Sequence, residues 1–378
     1  MRDSGAAPLG HAAAGARVAT LDGVRGLAIL LVIAHHASQF AVVRPRTGAE
    51  TAISRLFAQG WIGVDLFFVL SGYLITGLLL RARGRPRYFR NFYARRTLRI
   101  FPLYYATVFA MCVLLPALLR RDYTARLAEN QGWYWAYLPN LRIFLHGDWF
   151  VPIFDHTWSL AIEEQFYLVW PVLVLVLGAR RLVPATIALA AGSCALRAVM
   201  AGHGWTDAQL RVLPLSHADG LALGALVAAL LHAGVAAPRL RGLGASLIAS
   251  GLLLRLGAVW VGPSVLRDTA LEGTAWTLVF AGGLALVAVA APTGRLARAL
   301  SAPWLRFFGT YSYGLYIAHV PIMMWGSPYL ARAAPLAGSS LLDALALLVL
   351  GGALSTALAV LSFRYFEGPF LALKARFE

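Results

Sequence analysis

The sequence predicts an all-α membrane protein, a polytopic bundle of about ten transmembrane helices. Of its 378 residues, 59% are hydrophobic and only 13% are charged, whereas a soluble domain carries about 25% charged residues. A helix that spans a bilayer needs about 20 mostly apolar residues. Ten stretches meet this requirement, namely 27–43, 61–80, 100–119, 156–178, 183–201, 217–234, 244–261, 273–291, 305–326 and 341–363.

The distribution of basic residues predicts the topology. If the N-terminus is cytoplasmic, 21 of the 33 Arg and Lys residues lie in inner segments and 10 in outer ones, as the positive-inside rule requires. An even number of spans then places both termini in the cytoplasm. We therefore predict a multi-pass protein of the inner cell membrane that binds no nucleic acid. The membrane domain is 21–370, between a disordered cytoplasmic tail over 1–20 and a short tail over 371–378.

The first span carries an ionisable pair. Such residues are costly inside a bilayer and are candidates for function, the alternative being a helix–helix hydrogen bond. Arg25 and His36 are eleven residues apart, so they share one helix face about 16 Å apart. His36 is a candidate general base, because imidazole titrates near neutral pH. His35 points roughly 80° away, and no Cys or Glu at ligand spacing joins the two histidines, which disfavours a metal site.

The second span carries a single acid near its outer end. Asp65 stands in the segment GWIGVDLFFVLSGYLITG, residues 60–77. We expect it at the depth of His36, where a carboxylate would orient the imidazole as in a catalytic triad. The alternative is a structural Asp–Ser pair within the bundle. Gly72 and Thr76 lie on the same stripe, where small residues let helices approach closely.

A basic cluster marks the cytoplasmic start of the third span. The segment FYARRTLRIFPLYY, residues 92–105, contains Arg95, Arg96 and Arg99. Guanidinium groups match phosphate oxygens in geometry and charge, which predicts a phosphorylated ligand. The alternative is anchoring by lipid phosphates. Glu367 emerges at the same predicted membrane face and can pair with Arg96 or Arg99.

Two further helices carry polar side chains at helical spacing. In DHTWSLAIEEQFYLVWP, residues 155–171, polar positions recur every fourth residue, and in GTYSYGLYIAHVPI, residues 309–322, tyrosines and a histidine interrupt an apolar helix. These side chains contact substrate hydroxyls in one interpretation and are merely solvated in the other. The candidate substrate-binding residues are Trp158, Ser159, Glu163, Glu164, Tyr167, Tyr316 and His319. The tryptophans of the preceding outer loop, Trp149 among them, form an interfacial belt or a lid that stacks on sugars.

Six of these segments, in order along nearly the whole chain, resemble the acyltransferase-3 family of integral membrane O-acyltransferases. The resemblance rests on LDGVRGLAILLVIAHH, GVDLFFVLSGYLIT, FYARRTLRIFPLYY, WSLAIEEQFYLVWP, YSYGLYIAHVPI and FEGPF. It implies a fold of about ten spans and acyl-CoA as the donor, with no permanently bound cofactor. The family's Arg-x10-His motif falls on Arg25 and His36, with His36 as its essential histidine. Its coenzyme A-binding arginines fall on Arg96 and Arg99, and its C-terminal acid falls on Glu367.

The resemblance also implies the class of acceptor, a hydroxyl of a carbohydrate or of a glycosylated, macrolide-type compound. Many members carry a C-terminal hydrolase-like domain, whereas this chain ends eleven residues after Glu367, so we expect the stand-alone type. Two other classes of function fit the residues. A proton-coupled transporter would use the intramembrane His and Asp as a relay, and an acyl-CoA sensor would bind the donor without turnover.

Overall fold

The computed structural model describes residues 11–41, 45, 47–119, 121–333 and 340–377, and within them every regular element is helical. The elements are α1 (His11–Phe40), α2 (Gly48–Ala58), α3 (Ile62–Ala82), α4 (Tyr88–Phe109), α5 (Leu115–Leu118), α6 (Asp122–Glu129), α7 (Gln131–Trp135), α8 (Pro139–His146), α9 (Trp158–Gly202), α10 (Asp207–Val212), α11 (Asp219–His232), α12 (Ala237–Ala258), α13 (Glu272–Ala288), α14 (Arg295–Leu300), α15 (Pro303–Thr310), α16 (Ser312–Ala333), α17 (Ser340–Ala346), α18 (Gly352–Leu361) and α19 (Gly368–Ala372). The predicted all-α class is confirmed.

Several helices are long and apolar enough to cross a membrane. Among the described residues, seven helical stretches meet that criterion: Ala19–Phe40, Gly48–Ala82, Tyr88–Leu118, Asp155–Gly202, Ala237–Ala258, Leu266–Ala288 and Ser340–Phe377. The apolar α11 is shorter, and α15 and α16 cover the predicted span 305–326. Each predicted span thus overlaps helix, although several span ends, such as 217–218, 259–261 and 289–291, lie outside the helices. The number of crossings and the cytoplasmic location of the termini stay predictions.

The predicted N-terminal tail, residues 1–20, overlaps the first helix. The first ten residues and Glu378 lie outside the described residues, but α1 begins at His11, so the chain is already helical over 11–20. The sequence GARVATLDGVRG continues the helix toward the membrane without a Pro, and nothing local ends it.

A break inside α9 separates two predicted spans. The element is 45 residues long, about 67 Å at the usual helical rise and far more than one bilayer thickness. Gly178 interrupts it with a non-helical backbone, φ 64° and ψ 174°. A Cβ atom at Gly178 would lie 2.9 Å from the Arg83 guanidinium, whose Nε donates to Leu175 O at 3.1 Å. Glycine therefore permits both the backbone turn and the close approach of Arg83.

The centre of the bundle is held by close packing of α3 against α11. A Cβ atom at Gly72 would lie 2.0 Å from Leu221 O, and one at Gly224 would lie 1.9 Å from Val69 O. Both positions therefore exclude any side chain, which lets the two backbones touch. A buried ion pair fixes the other side of α11, because Arg197 on α9 binds Asp219 through N–O contacts of 2.5 and 2.8 Å.

Candidate active site

Two cavities inside the bundle share part of their lining. The first, which we call the arginine cavity, has a volume of about 270 Å³, and its polar lining includes Arg25, Ser71, Arg96, Arg99, Ser159, Glu163 and Tyr167. The second, the histidine cavity, has a volume of about 420 Å³, and its polar and aromatic lining includes His35, His36, Trp61, Asp65, Trp149, His156, Trp158, Asp207, Arg211 and His217. Val64 and Tyr316 line both cavities. Arg25 and His36, which share one face of α1, therefore serve different cavities.

The hydrogen bonds of His36 define which of its nitrogens is free to act as a base. His36 Nδ1 lies 3.0 Å from Val32 O and 3.2 Å from His319 Nε2. A carbonyl oxygen only accepts, so Nδ1 carries the proton, and in the neutral imidazole Nε2 keeps its lone pair. His319 Nδ1 in turn donates to Leu315 O and Tyr316 O at 3.0 and 2.8 Å, which leaves its Nε2 as an acceptor for His36. The buried His319 thus positions His36.

The expectation that Asp65 orients His36 is wrong. Asp65 Oδ1 instead contacts His217 Nε2 at 2.9 Å, and His217 stands just before α11. The reason is the tight packing of α3 on α11 at Gly72, which turns this face of α3 toward α11. Asp65 and His36 nevertheless line the same cavity.

His35 also lines the histidine cavity, although its imidazole is turned away from that of His36. The two ring planes are 80° apart, and His35 Nδ1 donates to Ala58 O at 2.6 Å, which ties α1 to α2. Within the described residues, no three His, Cys, Asp or Glu side chains are arranged to hold a metal ion.

The basic cluster divides between the arginine cavity and the surface. Arg96 and Arg99 line the cavity, whereas Arg95 is exposed and lies outside it. Arg99 faces Glu367 at an N–O distance of 3.9 Å, so the pairing expected from the sequence is present. Glu367 is buried and does not line either cavity, so it holds Arg99 rather than contacting a ligand itself.

The predicted substrate-binding residues divide in the same way. Ser159, Glu163 and Tyr167 line the arginine cavity, Trp158 lines the histidine cavity, and Tyr316 lines both. The Tyr316 hydroxyl donates to His156 O at 2.8 Å and contacts Ser159 Oγ, which fixes the side chain at the junction of the cavities.

Glu164 and His319 belong to neither lining. Glu164 Oε1 is buried without a hydrogen bond in the described part of the chain, and His319 contacts His36. The prediction that these two residues contact the substrate directly is therefore corrected. Helical periodicity gives the direction of a side chain but not the depth of the cavity that it faces.

Sequence reasoning missed several residues of the histidine cavity. His156 stands inside the segment 155–171, which carries other candidate residues. Neither of its ring nitrogens forms a hydrogen bond with the described residues. Carbonyl groups of Tyr316 and Ile317 lie near it. His217 and Arg211 lie in or beside a short loop. The sequence does contain a signal for His217, because this ionisable residue stands at the start of a predicted span.

The lining of the histidine cavity includes an ion pair beside an aromatic ring. Arg211 Nε donates to both carboxylate oxygens of Asp207 at 2.9 Å, and the Arg211 guanidinium lies 4.6 Å from the centre of the Trp61 ring. Burial acts to raise the pKa of Asp207, but the Arg211 guanidinium and its hydrogen bonds hold that pKa below its usual value. Asp207 is therefore a carboxylate at neutral pH.

Comparison with known proteins gives a consistent assignment. OatA of Listeria monocytogenes, a peptidoglycan O-acetyltransferase, is 28% identical over 93% of this chain and 55% of its own length. YrhL of Bacillus subtilis is 29% identical over 82% of the chain and 49% of its own length. The O-acetyltransferase OatA of Staphylococcus aureus is 33% identical over 41% of the chain and 24% of its own length. The chain thus spans about half the length of the first two relatives, and no solved structure matches it.

The family follows from the extent of one further match. The sequence model of the acyltransferase domain matches residues 18–364, which include the candidate residues Arg25, His36 and Asp65 as well as the basic cluster. That range covers nearly all of the membrane helices described above. The chain belongs to the acyltransferase-3 family of membrane proteins.

Proposed function

We propose that this protein transfers an acetyl or other short acyl group from acyl-CoA to a hydroxyl of a carbohydrate acceptor. The observation that carries the proposal is the pair of neighbouring cavities that share Val64 and Tyr316, one rich in arginine and the other in histidine. An acyl-CoA joins a polyanionic nucleotide to an uncharged arm, and a hydroxyl acceptor needs a base. The two cavities supply these requirements on opposite sides of one junction.

The arginine cavity suits the donor. Arg25, Arg96 and Arg99 provide three guanidinium groups in the lining of one cavity, and charge-assisted contacts of this kind are among the strongest hydrogen bonds to phosphate. The same lining has an apolar part, with Phe67, Phe68, Leu70, Leu74 and Ile75. A charged part and an apolar part suit the phosphates and the uncharged arm of the donor, and the proposal has the thioester beside Tyr316.

The histidine cavity suits the acceptor and the proton transfer. In the proposed reaction His36 Nε2 removes the proton of the acceptor hydroxyl while its oxygen attacks the thioester carbonyl carbon. The tetrahedral intermediate then collapses, the C–S bond breaks, and the proton on His36 passes to the leaving thiolate. A new ester and free coenzyme A result. His319 supports this sequence because it holds Nδ1–H and so leaves Nε2 as the base.

Two observations support a carbohydrate as the acceptor. The name of the Listeria relative specifies peptidoglycan, which is a carbohydrate polymer, and tryptophan rings line the histidine cavity. We therefore propose a carbohydrate rather than a macrolide-type acceptor.

The test is acyl transfer by the purified, bilayer-reconstituted protein. With ¹⁴C-acetyl-CoA and an amino-sugar oligosaccharide, we expect covalent label on the sugar and stoichiometric free thiol. Label that accumulates inside proteoliposomes without covalent transfer would identify a transporter instead. Donor binding without either product would identify a sensor.

The proposal also requires the donor opening to face the cytoplasm. Reporter fusions after residues 90 and 130 are expected to lie inside and outside, respectively, because the basic segment between the second and third spans is the most positive of the chain. The opposite result would place the arginine cavity on the side without acyl-CoA.

A further inference from the structure

The histidine cavity contains a second titratable pair that the proposed chemistry does not use. Asp65 Oδ1 contacts His217 Nε2 at 2.9 Å, while Asp65 Oδ2 and His217 Nδ1 have no hydrogen bond with any described residue. Both residues are more than nine-tenths buried, with 2% and 6% of their surface exposed. A buried polar atom without a partner costs about 1–3 kcal/mol. Two such atoms on one cavity-lining pair indicate that a ligand supplies the missing partners.

Aromatic rings fix the orientation of this pair. The His217 ring lies edge-on to Phe68 and Trp158, at centroid distances of 5.1 and 5.7 Å. The free nitrogen of His217 therefore stays in place relative to Asp65. Such preorganisation is typical of recognition sites, in which few polar groups are held among aromatic walls.

The chemistry of the free atoms selects the ligand group. Asp65 Oδ2 is an acceptor and needs a donor. Because Asp65 Oδ1 accepts from His217 Nε2–H, the neutral His217 presents Nδ1 as a second acceptor, and the protonated form presents it as a donor. One hydroxyl can donate to Asp65 Oδ2 and accept from Nδ1–H of protonated His217, whereas beside neutral His217 each acceptor needs its own donor. Neighbouring hydroxyls on a sugar ring satisfy both atoms together.

We infer that Asp65 and His217 form a recognition site for a hydroxyl of the acceptor other than the one that is acylated. This inference rests on the proposed function and adds to it the residues that select the acceptor. His36 and His217 then have separate tasks in one cavity, since His36 is held by the helices α1 and α16 and His217 by the carboxylate on α3. Trp61 and Trp149, which line the same cavity, provide flat surfaces for the sugar ring.

Kinetics on Asp65→Asn and His217→Gln test the inference. The probe acceptors are chitotriose and its singly deoxygenated derivatives, with acetyl-CoA as the donor. Loss of a hydrogen bond to a charged group raises the acceptor KM of each variant by about one to two decades, whereas kcat and the donor KM stay near those of the wild type. For the wild type, one deoxygenated derivative shows the same rise in KM. The KM of the variants for that derivative is no higher than their KM for chitotriose.

The matched control is Asp122→Asn, which removes an exposed carboxylate at the start of α6, outside both cavities, and should change neither constant. A fall in kcat at unchanged acceptor KM would overturn the inference and assign the pair to proton transfer. An unchanged acceptor KM and kcat in both variants would overturn it as well. Failure of the wild type to acylate any acceptor would instead contradict the proposed function. Donor binding by each variant verifies folding, and Asp65→Glu, which keeps the charge, gives a second reading if Asp65→Asn does not fold.

Discussion

Replacement of His36 by alanine is the sharpest test of the proposed chemistry. His36 is the histidine whose Nδ1–H is committed to Val32 O and His319 Nε2, at 3.0 and 3.2 Å, so its Nε2 is the available base. Loss of a positioned general base lowers the rate about 10²- to 10⁴-fold. The donor KM should not change, because Arg25 lies three helical turns away, about 16 Å along α1.

The structure also sets the magnitude expected at His319. In His319→Phe, His36 Nδ1–H loses one of its two acceptors and keeps Val32 O. One hydrogen bond between neutral groups contributes roughly 0.5–1.5 kcal/mol, so the rate should fall only about 2- to 12-fold. His319→Gln offers a side-chain oxygen as a replacement acceptor and should recover part of this loss.

The assay is the initial rate of ¹⁴C-acetyl transfer by reconstituted protein at saturating acetyl-CoA, with donor binding measured separately. His35→Ala is the control, because His35 Nδ1 is bound to Ala58 O and its loss should cost less than tenfold in rate. A His36→Ala variant that folds, binds the donor and keeps most of its activity would refute the reasoning. An inactive His35→Ala variant beside an active His36→Ala variant would refute it equally, and would assign the base to the neighbouring ring.

Three further predictions follow from the cavities and the buried ion pair. Arg99→Ala should raise the donor KM by about one to two decades, while Arg95→Ala, at an exposed position outside the cavity, should leave it within about twofold; equal effects would assign both residues to lipid anchoring. Val64→Trp should fill the junction of the two cavities and abolish transfer, with donor binding measured by calorimetry retained; normal transfer would exclude passage at this point. Arg197→Ala should lower the free energy of unfolding by about 3–5 kcal/mol, because Asp219 is left buried without its cation, and an unchanged thermal midpoint would contradict a stabilising role of the pair.

The helical periodicity of the sequence is sufficient to predict part of the candidate site. The eleven-residue spacing of Arg25 and His36 predicts one face of α1, and the structure has both side chains on cavity walls. The pairing of Arg99 with Glu367 is also predictable from the sequence, since both residues are expected at the same membrane face. These predictions need only the rise and turn of a helix and the sorting of charge across a bilayer.

Contacts between helices are harder to predict from the sequence. Depth along the helices alone predicts Asp65 beside His36, whereas its partner is His217. The role of His319 was missed for the same reason, as its contact to His36 joins α16 to α1. A helix that is apolar on all sides has no polar face to indicate which side packs against which neighbour. Inside a membrane this is common, because the lipid and protein surroundings of a helix are both apolar.

The composition of its segments alone predicts an all-α membrane protein, the positions of its long apolar helices, and the ionisable residues inside them. These properties follow from the cost of exposing polar groups to hydrocarbon, which acts on each segment separately. Only in the packed bundle do the arginines and histidines come to line two cavities with a shared wall. That arrangement depends on close approaches such as the one at Gly72 and on the break at Gly178, where steric fit between distant segments sets the geometry.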